Sequence, residues 1–262
     1  MSVTLVIVSV LWKALATATV IVLAGRLAQR VGPVLTSVLI TLPVNAGPGF
    51  FFIALEQDAD FVHAGALTAF AVTGAVLLYC TAWVHAARHA GFLLSLAAAV
   101  SAWTAWALAT EALPDQLAYA FAAAGGGALL AWVLRRRDIG PPPRAAAPAG
   151  WGFVMVRGLA AGIVVASVAT ASPWLGPVWS GFLLGFPTTL TASAWMLYGH
   201  YGREFTAATL NAAQPSMVVY ASFCLALHLF AGPLTAVGAV GAALAVAAAL
   251  AACLAVVLAR RR

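Results

Sequence analysis

The sequence predicts an all-α integral membrane protein with about nine transmembrane helices, and three observations support this fold class. Apolar residues make up 64% of the 262 residues and charged residues only 8%, too few to cover a folded chain in water. Apolar runs of about 20 residues, the length that crosses the hydrocarbon of a bilayer, recur along the chain. Lys and Arg are concentrated in alternate gaps between these runs, which is typical of cytoplasmic loops.

Nine runs are long enough to cross a bilayer, and little chain remains between them. We expect no cleaved signal peptide at residues 3–12, because Lys13 follows the apolar run instead of preceding it. The longest gap, residues 135–150, has the proline, glycine and arginine content of a solvated linker. The predicted spans are 4–24, 33–55, 62–84, 91–110, 116–134, 152–171, 177–198, 206–230 and 233–259.

The basic residues predict the orientation of these spans. With the N-terminus outside, the cytoplasmic loops hold eleven of the thirteen Lys and Arg residues and the outer loops hold none. The outer loops carry acidic residues instead, such as Glu56 and Glu111. Because cytoplasmic loops collect Lys and Arg, we expect an external N-terminus and a cytoplasmic C-terminus. The eleven are Arg26, Arg30, Arg88, Arg135, Arg136, Arg137, Arg144, Arg203, Arg260, Arg261 and Arg262.

The two halves of the chain are similar to each other. A fixed offset of 144 residues places Lys13 on Arg157 and Pro43 on Pro187, and it holds over about 70 residues without a gap. Each copy contains four spans, and a fifth span lies between them, so the second copy is predicted to be inverted in the membrane. The predicted regions are a first four-helix repeat at 1–112, a linker helix with a cytoplasmic loop at 113–150, and the inverted repeat at 151–262.

One pattern of residues occurs in both copies. In the second copy, Val156-Arg157-Gly158-Leu159 and the segment Ser180 to Pro187 are followed by Glu204, seventeen residues after the proline. In the first copy, Leu11-Trp12-Lys13-Ala14-Leu15 and Pro43 are followed by Asp60 at the same spacing. This pattern resembles the GlpM-like bacterial inner-membrane proteins, a family of small four-helix proteins. The resemblance implies a fused tandem duplicate of that unit in a bacterial inner membrane, with loose links to glycerol-phosphate and envelope metabolism.

Prolines at the centre of two equivalent spans predict broken helices. Pro43 and Pro187 each remove a helical hydrogen bond, so hydroxyls, carboxamides and freed carbonyls are expected to meet near the midplane of the membrane. Irregular backbone at that depth is tolerated where it is buried in protein or lines a cavity, and transporters use such breaks as solute sites. The alternative is a proline kink whose hydroxyls bond to their own helix. Asn45, Thr188 and Thr189 are the polar candidates beside the two breaks.

Two cations lie within predicted spans. Ionised residues inside a membrane are costly and are typical of functional sites, so Lys13 and Arg157 predict one cation on each approach to the centre. Anchoring of the long side chains at the headgroups is the alternative. Asn211 and Gln214 share one helical face, where they either point to the same site or bond to a neighbouring helix. The candidate substrate-binding residues are therefore Lys13, Pro43, Asn45, Arg157, Pro187, Thr188, Thr189, Asn211 and Gln214.

The predicted function is a membrane transporter or channel for a small anionic solute. The alternative is a non-transporting assembly or lipid-interaction subunit. We expect no enzyme, because no nucleophile with a base and no metal-ligand spacing can be assembled within the spans. We accordingly expect no cofactor and no metal. The expected partners are the lipid bilayer and a small molecule or ion, with no nucleic acid, and a homo-oligomer remains open. Asp60 and Glu204 are expected to cap the helices that they begin.

Overall fold

A computed structural model describes residues 3–30, 43–140 and 150–260. Within these ranges the chain forms helices and no strands, which confirms the all-helical prediction. A short 3-10 helix, Gln214–Ser216, joins α8 to α9. The α-helices are α1 Val3–Arg30, α2 Ala46–Glu56, α3 Ala59–Ala71, α4 Thr73–Ala86, α5 Phe92–Glu111, α6 Leu117–Leu134, α7 Trp151–Gly185, α8 Thr188–Ala213, α9 Met217–Ala231 and α10 Ala236–Arg260.

Six apolar helical segments in the described ranges are long enough to cross a membrane. Large apolar side chains are exposed along α1, α5, α6, α7 and α10, as is usual for helices that face lipid. These features are those of a helical membrane protein. Residues 33–42 of the second predicted span lie outside the described residues. The six segments are Thr4–Ala24, Ala59–Ala86, Phe92–Glu111, Leu117–Leu134, Trp151–Ala231 and Ala236–Val257.

Two glycines interrupt the longest of these segments. Gly176 has φ +73° and Gly202 has φ +79°, a backbone region that side-chain-bearing residues rarely adopt. Gly176 lies inside α7 and Gly202 inside α8, so each glycine is a point where the helix changes direction. The 81-residue segment is thereby divided into three stretches: 151–175, 177–201 and 203–231.

The two central prolines lie where helices begin. α7 ends at Gly185, Pro187 is the N-cap residue of α8, and the backbone between them is not helical. In the first half, α2 begins at Ala46, directly after Pro43, Val44 and Asn45. Both prolines therefore precede the first turn of a helix, where a missing N–H costs little. The predicted break at Pro187 is confirmed, and at Pro43 the described chain is non-helical up to Asn45.

Small residues allow α1 and the first stretch of α7 to pack closely. A Cβ atom on Gly162 would lie 2.5 Å from the Ala14 carbonyl oxygen, and one on Gly158 would lie 3.1 Å from the Ala18 carbonyl oxygen. The two helices are antiparallel, because Ala14 opposes the later glycine and Ala18 the earlier one. Gly162 and Gly158 are four residues apart, the small-residue spacing that brings membrane helices into backbone contact.

Glycines close two further helix contacts. A Cβ atom on Gly127 of α6 would lie 2.6 Å from the Gly74 Cα of α4. A Cβ atom on Gly181 of α7 would lie 2.3 Å from the Gly65 carbonyl oxygen of α3. The buried apolar cores of the bundle surround these contacts and include Phe50, Phe223 and Trp83 among others.

Arginines cluster at one end of the bundle, where Asp138 and Glu204 also lie. At the end that we call the arginine end, the Arg26 guanidinium stacks 3.5 Å from the Trp151 ring centre, and Arg203 Nη1 donates to the Arg88 carbonyl at 3.5 Å. Arg88, Arg136 and Arg203 line one cavity of about 410 Å³ there. At the opposite, acidic end, Glu56 lies beside α7, while Glu111 and Asp115 lie at the end of α5 and before α6. The helices run between these two ends.

Candidate functional site

A cavity of about 580 Å³ lies where the two broken helices meet. Its polar wall includes Asn45 and Thr189, which lie beside the two central prolines. Its remaining wall is mostly apolar and comes from α4, α7, α8 and α9. The apolar and aromatic residues that line it include Val76, Phe153, Leu184, Phe186, Leu190, Leu197, Phe205, Leu210, Met217 and Tyr220.

Two helices begin at this cavity. Residues Pro43 to Ala46 line it at the start of α2, and Pro187, Thr189 and Leu190 line it at the start of α8. The first turn of a helix has backbone N–H groups without helical partners and carries the positive end of the helix dipole. Two such ends at one cavity favour a negatively charged occupant, as at the half-helix termini of transporters.

Polar side chains connect the two starts. Asn45 Nδ2 donates to Thr189 Oγ1 at 3.3 Å, and these two residues are 144 positions apart, the offset between the two copies. Asn45 Oδ1 is buried and has no hydrogen-bond partner among the described residues. Two residues further along α8, Thr191 Oγ1 lies 2.9 Å from Tyr79 Oη and donates to the Pro187 carbonyl. Asn45 and Tyr79 therefore connect the start of α8 to the first half of the chain.

Arg157 brings a cation to the cavity. Its side chain extends from α7 into the cavity wall, and its Nε is buried without a hydrogen-bond partner in the described part of the chain. All seven Asp and Glu residues of the sequence lie in that part, and none of their side chains forms an ion pair with Arg157. A buried charge without a partner is costly, so an anion beside Arg157 would lower this cost.

Lys13 does not line the cavity, and its environment differs from that of Arg157. Its side chain is only 1% exposed, and its Nζ lies 2.7 Å from Glu56 Oε1 and 3.3 Å from Thr170 Oγ1. This ion pair lies between α1, the end of α2 and α7, near the acidic end. The prediction of one cation on each approach to the centre therefore does not describe Lys13, because its charge is matched by a carboxylate within the protein.

The residues that the predicted repeat makes equivalent show where the surroundings of the two cations differ. Lys13 and Arg157 are equivalent positions, but Glu56 corresponds to His200 in the second copy. The second copy therefore lacks the carboxylate that neutralises the cation of the first. His200 lines a neighbouring cavity of about 600 Å³. Phe153, Leu197 and Phe205 line both this cavity and the central one.

Two other predicted site residues lie elsewhere. The Asn211 side chain accepts from Arg135 Nε at 3.3 Å and donates to the Arg136 carbonyl at 3.3 Å, while Arg135 Nη2 donates to the Asn211 carbonyl. Asn211 thus joins α8 to the segment directly after α6, and its partners are neither the cavity nor a neighbouring helix. Gln214 is buried and outside the cavity wall, and its Nε2 has no partner among the described residues. Thr188 is also buried, with its hydroxyl directed to the Phe186 carbonyl.

The acidic residues at helix starts differ in part from the prediction. Asp58, two residues before Asp60, is the N-cap of α3 and accepts a hydrogen bond from the Phe61 amide at 2.9 Å. The predicted cap at Asp60 is therefore wrong, since the helix begins earlier and places Asp60 within the first turn. Glu204 lies beside Arg88 and Arg136 in the cavity at the arginine end.

The described residues contain no metal-ligand set. No three His, Cys, Asp or Glu side chains in these ranges lie close enough to hold an ion together. Two such groups, His63 and His228, are stacked with their ring centres 3.8 Å apart. Each ring lies with its Nδ1 at the backbone carbonyl of the other residue, at 2.8 and 3.0 Å. This pair joins α3 to α9 at the acidic end.

The fold and the cavity define a helical membrane protein with a partly charged cavity between broken helices. No protein-family model, no curated protein and no solved structure matches the chain. The resemblance to the GlpM-like proteins therefore stays a prediction.

Proposed function

We propose that this protein is a membrane transporter or channel for a small anionic solute, which binds in the cavity between the broken helices. The observation that carries the proposal is the Arg157 guanidinium, which lines the cavity and has no carboxylate partner. Two helix N-termini at the same cavity add favourable partial charges. Ionisable groups inside a membrane are typical of solute pathways.

We further propose nine membrane crossings in a 4+1+4 arrangement, with the second copy inverted. Support comes from contacts between equivalent residues, such as the hydrogen bond between Asn45 and Thr189. The contacts between α1 and α7 are also reciprocal, because Ala14 and Ala18 are the equivalents of the glycines that oppose them in reverse order. Reciprocal contacts of this kind are expected across a two-fold axis, and inverted repeats are common in transporters.

The clustering of arginines supports an orientation with the arginine end in the cytoplasm. Single cysteines at Ala112→Cys and Gly140→Cys, in a background with Cys253→Ser, test it by labelling of whole cells with a membrane-impermeant thiol reagent. We expect labelling at position 112 from outside and at position 140 only after the membrane is opened. The reverse pattern refutes the orientation while leaving the cavity unaffected.

The tandem GlpM-like origin belongs to the same proposal. Each copy would then correspond to one four-helix unit, and the linker helix α6 would permit both orientations in one chain. This relationship supports the architecture and carries no information on the solute.

The proposed function is tested by flux into liposomes. Purified protein is reconstituted, and the uptake of chloride, phosphate and organic carboxylates from acetate to octanoate is compared with that into protein-free liposomes. We expect saturable or conductive flux of at least one anion, with a loss of about tenfold or more in Arg157→Gln. That magnitude corresponds to one charged hydrogen bond of roughly 1.5–3 kcal/mol.

Absence of flux for every anion, from protein shown to be folded and inserted, refutes transport. The chain would then be assigned to the alternative class, a membrane assembly or lipid-interaction subunit. Flux that survives in Arg157→Gln refutes the site while leaving transport in place.

A further inference from the structure

The wall of the central cavity limits the kind of anion that fits it. The cavity encloses about 580 Å³, within the range that holds a drug-sized organic molecule and far larger than a hydrated inorganic ion needs. Its charge comes from Arg157, and hydrogen-bonding groups lie at the starts of α2 and α8 and at the hydroxyls of Ser193, Thr209, Ser216 and Tyr220. Most of the remaining lining is apolar and aromatic.

We infer that the solute is an amphiphilic organic monoanion, with a carboxylate or phosphodiester head at Arg157 and an apolar body between α7 and α8. This inference rests on the proposed function, since it names the solute class of the same site. Arg157 is the one cation among the described residues that line the cavity, and it matches a single negative charge. An inorganic anion would leave most of the apolar wall without contacts, whereas an apolar body buries that surface against it.

Arg157 indicates which anionic group the solute carries. A guanidinium presents its N–H groups in a plane that matches the two oxygens of a carboxylate or phosphate. The partnerless buried Nε of Arg157 requires an acceptor, and either head supplies one. The hydroxyl and carboxamide pair at Thr189 and Asn45 lies on the same wall and provides neutral hydrogen-bonding groups.

The apolar body of the solute is inferred from the residues that line the cavity next to Arg157. Phe153 lies one turn before Arg157 on α7, and Leu197 and Phe205 continue the apolar wall on α8. These three residues also line the neighbouring cavity of about 600 Å³ near His200. An elongated apolar body can therefore extend from Arg157 toward the arginine end.

Equilibrium binding of octanoate tests the inference. The probes are octanoate, acetate and inorganic phosphate as anions, and octanoate methyl ester as the neutral analogue, with purified protein in nanodiscs. Each buried methylene is expected to raise affinity about fourfold, so octanoate should bind at least tenfold more tightly than acetate or phosphate. The ester should bind at least tenfold more weakly than octanoate.

The variants separate the site from adsorption to lipid. Arg157→Gln should weaken octanoate binding at least tenfold, and Arg157→Lys should retain part of it. The control Lys13→Met/Glu56→Gln removes the other cation together with its partner and should bind octanoate like the wild type. Equal affinity for acetate and octanoate overturns the inference, and so does octanoate binding that is unchanged in Arg157→Gln.

The same assay distinguishes a bilayer lipid from a free amphiphile as the bound anion. Nanodiscs of zwitterionic lipid are compared with nanodiscs containing phosphatidylglycerol, in high salt that screens the membrane surface charge. Octanoate affinity that falls with phosphatidylglycerol supports a bilayer lipid as occupant, and unchanged affinity supports a free amphiphile. Flux of inorganic anions without octanoate preference overturns only this inference, whereas octanoate binding without any flux overturns only transport.

Discussion

The contact between α1 and α7 permits a quantitative prediction. A Cβ atom at Gly162 would lie 2.5 Å from the Ala14 carbonyl oxygen, and ordinary contacts begin at 3.4 Å. In Gly162→Ala the helices must therefore separate locally by about 0.9 Å. The obstructing atoms belong to the backbone, so no change of side-chain rotamer relieves the overlap. Overpacking of this kind typically costs about 1–3 kcal/mol.

Part of that cost is offset because alanine favours helix over glycine by about 1 kcal/mol. We expect Gly162→Ala to lower the free energy of unfolding by about 0–2 kcal/mol relative to the wild type, and by about 1–3 kcal/mol relative to an alanine variant without the overlap. The assay is equilibrium unfolding in mixed micelles, followed by circular dichroism as the fraction of denaturing detergent rises. The matched control is Gly152→Ala on the same helix, where a Cβ atom meets nothing within 4 Å.

Alanine at position 152 gains helix propensity without any overlap, so the control should be as stable as the wild type or up to about 1 kcal/mol more stable. Equal stability of Gly162→Ala and Gly152→Ala would show that the close approach of α1 and α7 does not exist. The reciprocal contacts that support the inverted repeat would then lose their basis.

Two further predictions concern charges. Glu56→Gln leaves Lys13 buried without a carboxylate and should destabilise the protein more than Lys13→Met/Glu56→Gln does, as measured by the same unfolding assay; equal stability of the two would contradict the ion pair. The hydrogen bond from Arg136 lowers the pKa of Asp138 below its ordinary value of 3.8. A carboxyl with a lowered folded pKa stabilises the folded state above the ordinary pKa, and this contribution is lost as the pH falls through the lowered value. In Asp138→Asn, stability should therefore depend less on pH in the acid range. Stability at neutral pH should change little, because the carboxyl is exposed. An unaltered dependence of stability on acid pH would contradict this prediction.

Helical class and several interruptions could be predicted from the sequence, because both depend on local chemistry. Long apolar runs have few structural solutions in lipid other than helices. Pro187 breaks its span because proline lacks an N–H, and Gly176 precedes a proline at the turn between two stretches of helix. The predicted cap at Asp60 failed because Asp58, two residues earlier, competes for the same role.

The environments of the two buried cations could not be predicted with the same ease. Both were expected to serve one site, since the repeat makes them equivalent. Their difference depends on a third residue that is distant in sequence, because Glu56 reaches Lys13 only when the end of α2 packs against α1. The signal was nevertheless present, since the same offset places His200 at the position of Glu56.

The hydrogen-bond partner of Asn211 could not be predicted from the sequence. Its one-face relation to Gln214 follows from helical periodicity, but the neighbour across that face depends on packing. The structure pairs Asn211 with Arg135 after α6 and leaves it outside the cavity. Periodicity identifies which residues share a face, while the partner of that face requires the tertiary fold.

In the proposed function, the unpaired charge of Arg157 attracts the solute and the neutralised charge of Lys13 does not. This difference is tested by the initial rate of anion uptake into liposomes for Arg157→Gln beside Lys13→Met/Glu56→Gln, with equal amounts of folded protein. We expect a rate at least tenfold below the wild type for Arg157→Gln and a rate close to the wild type for the double variant. Equal losses in the two variants, or an unchanged rate in Arg157→Gln, would contradict this expectation.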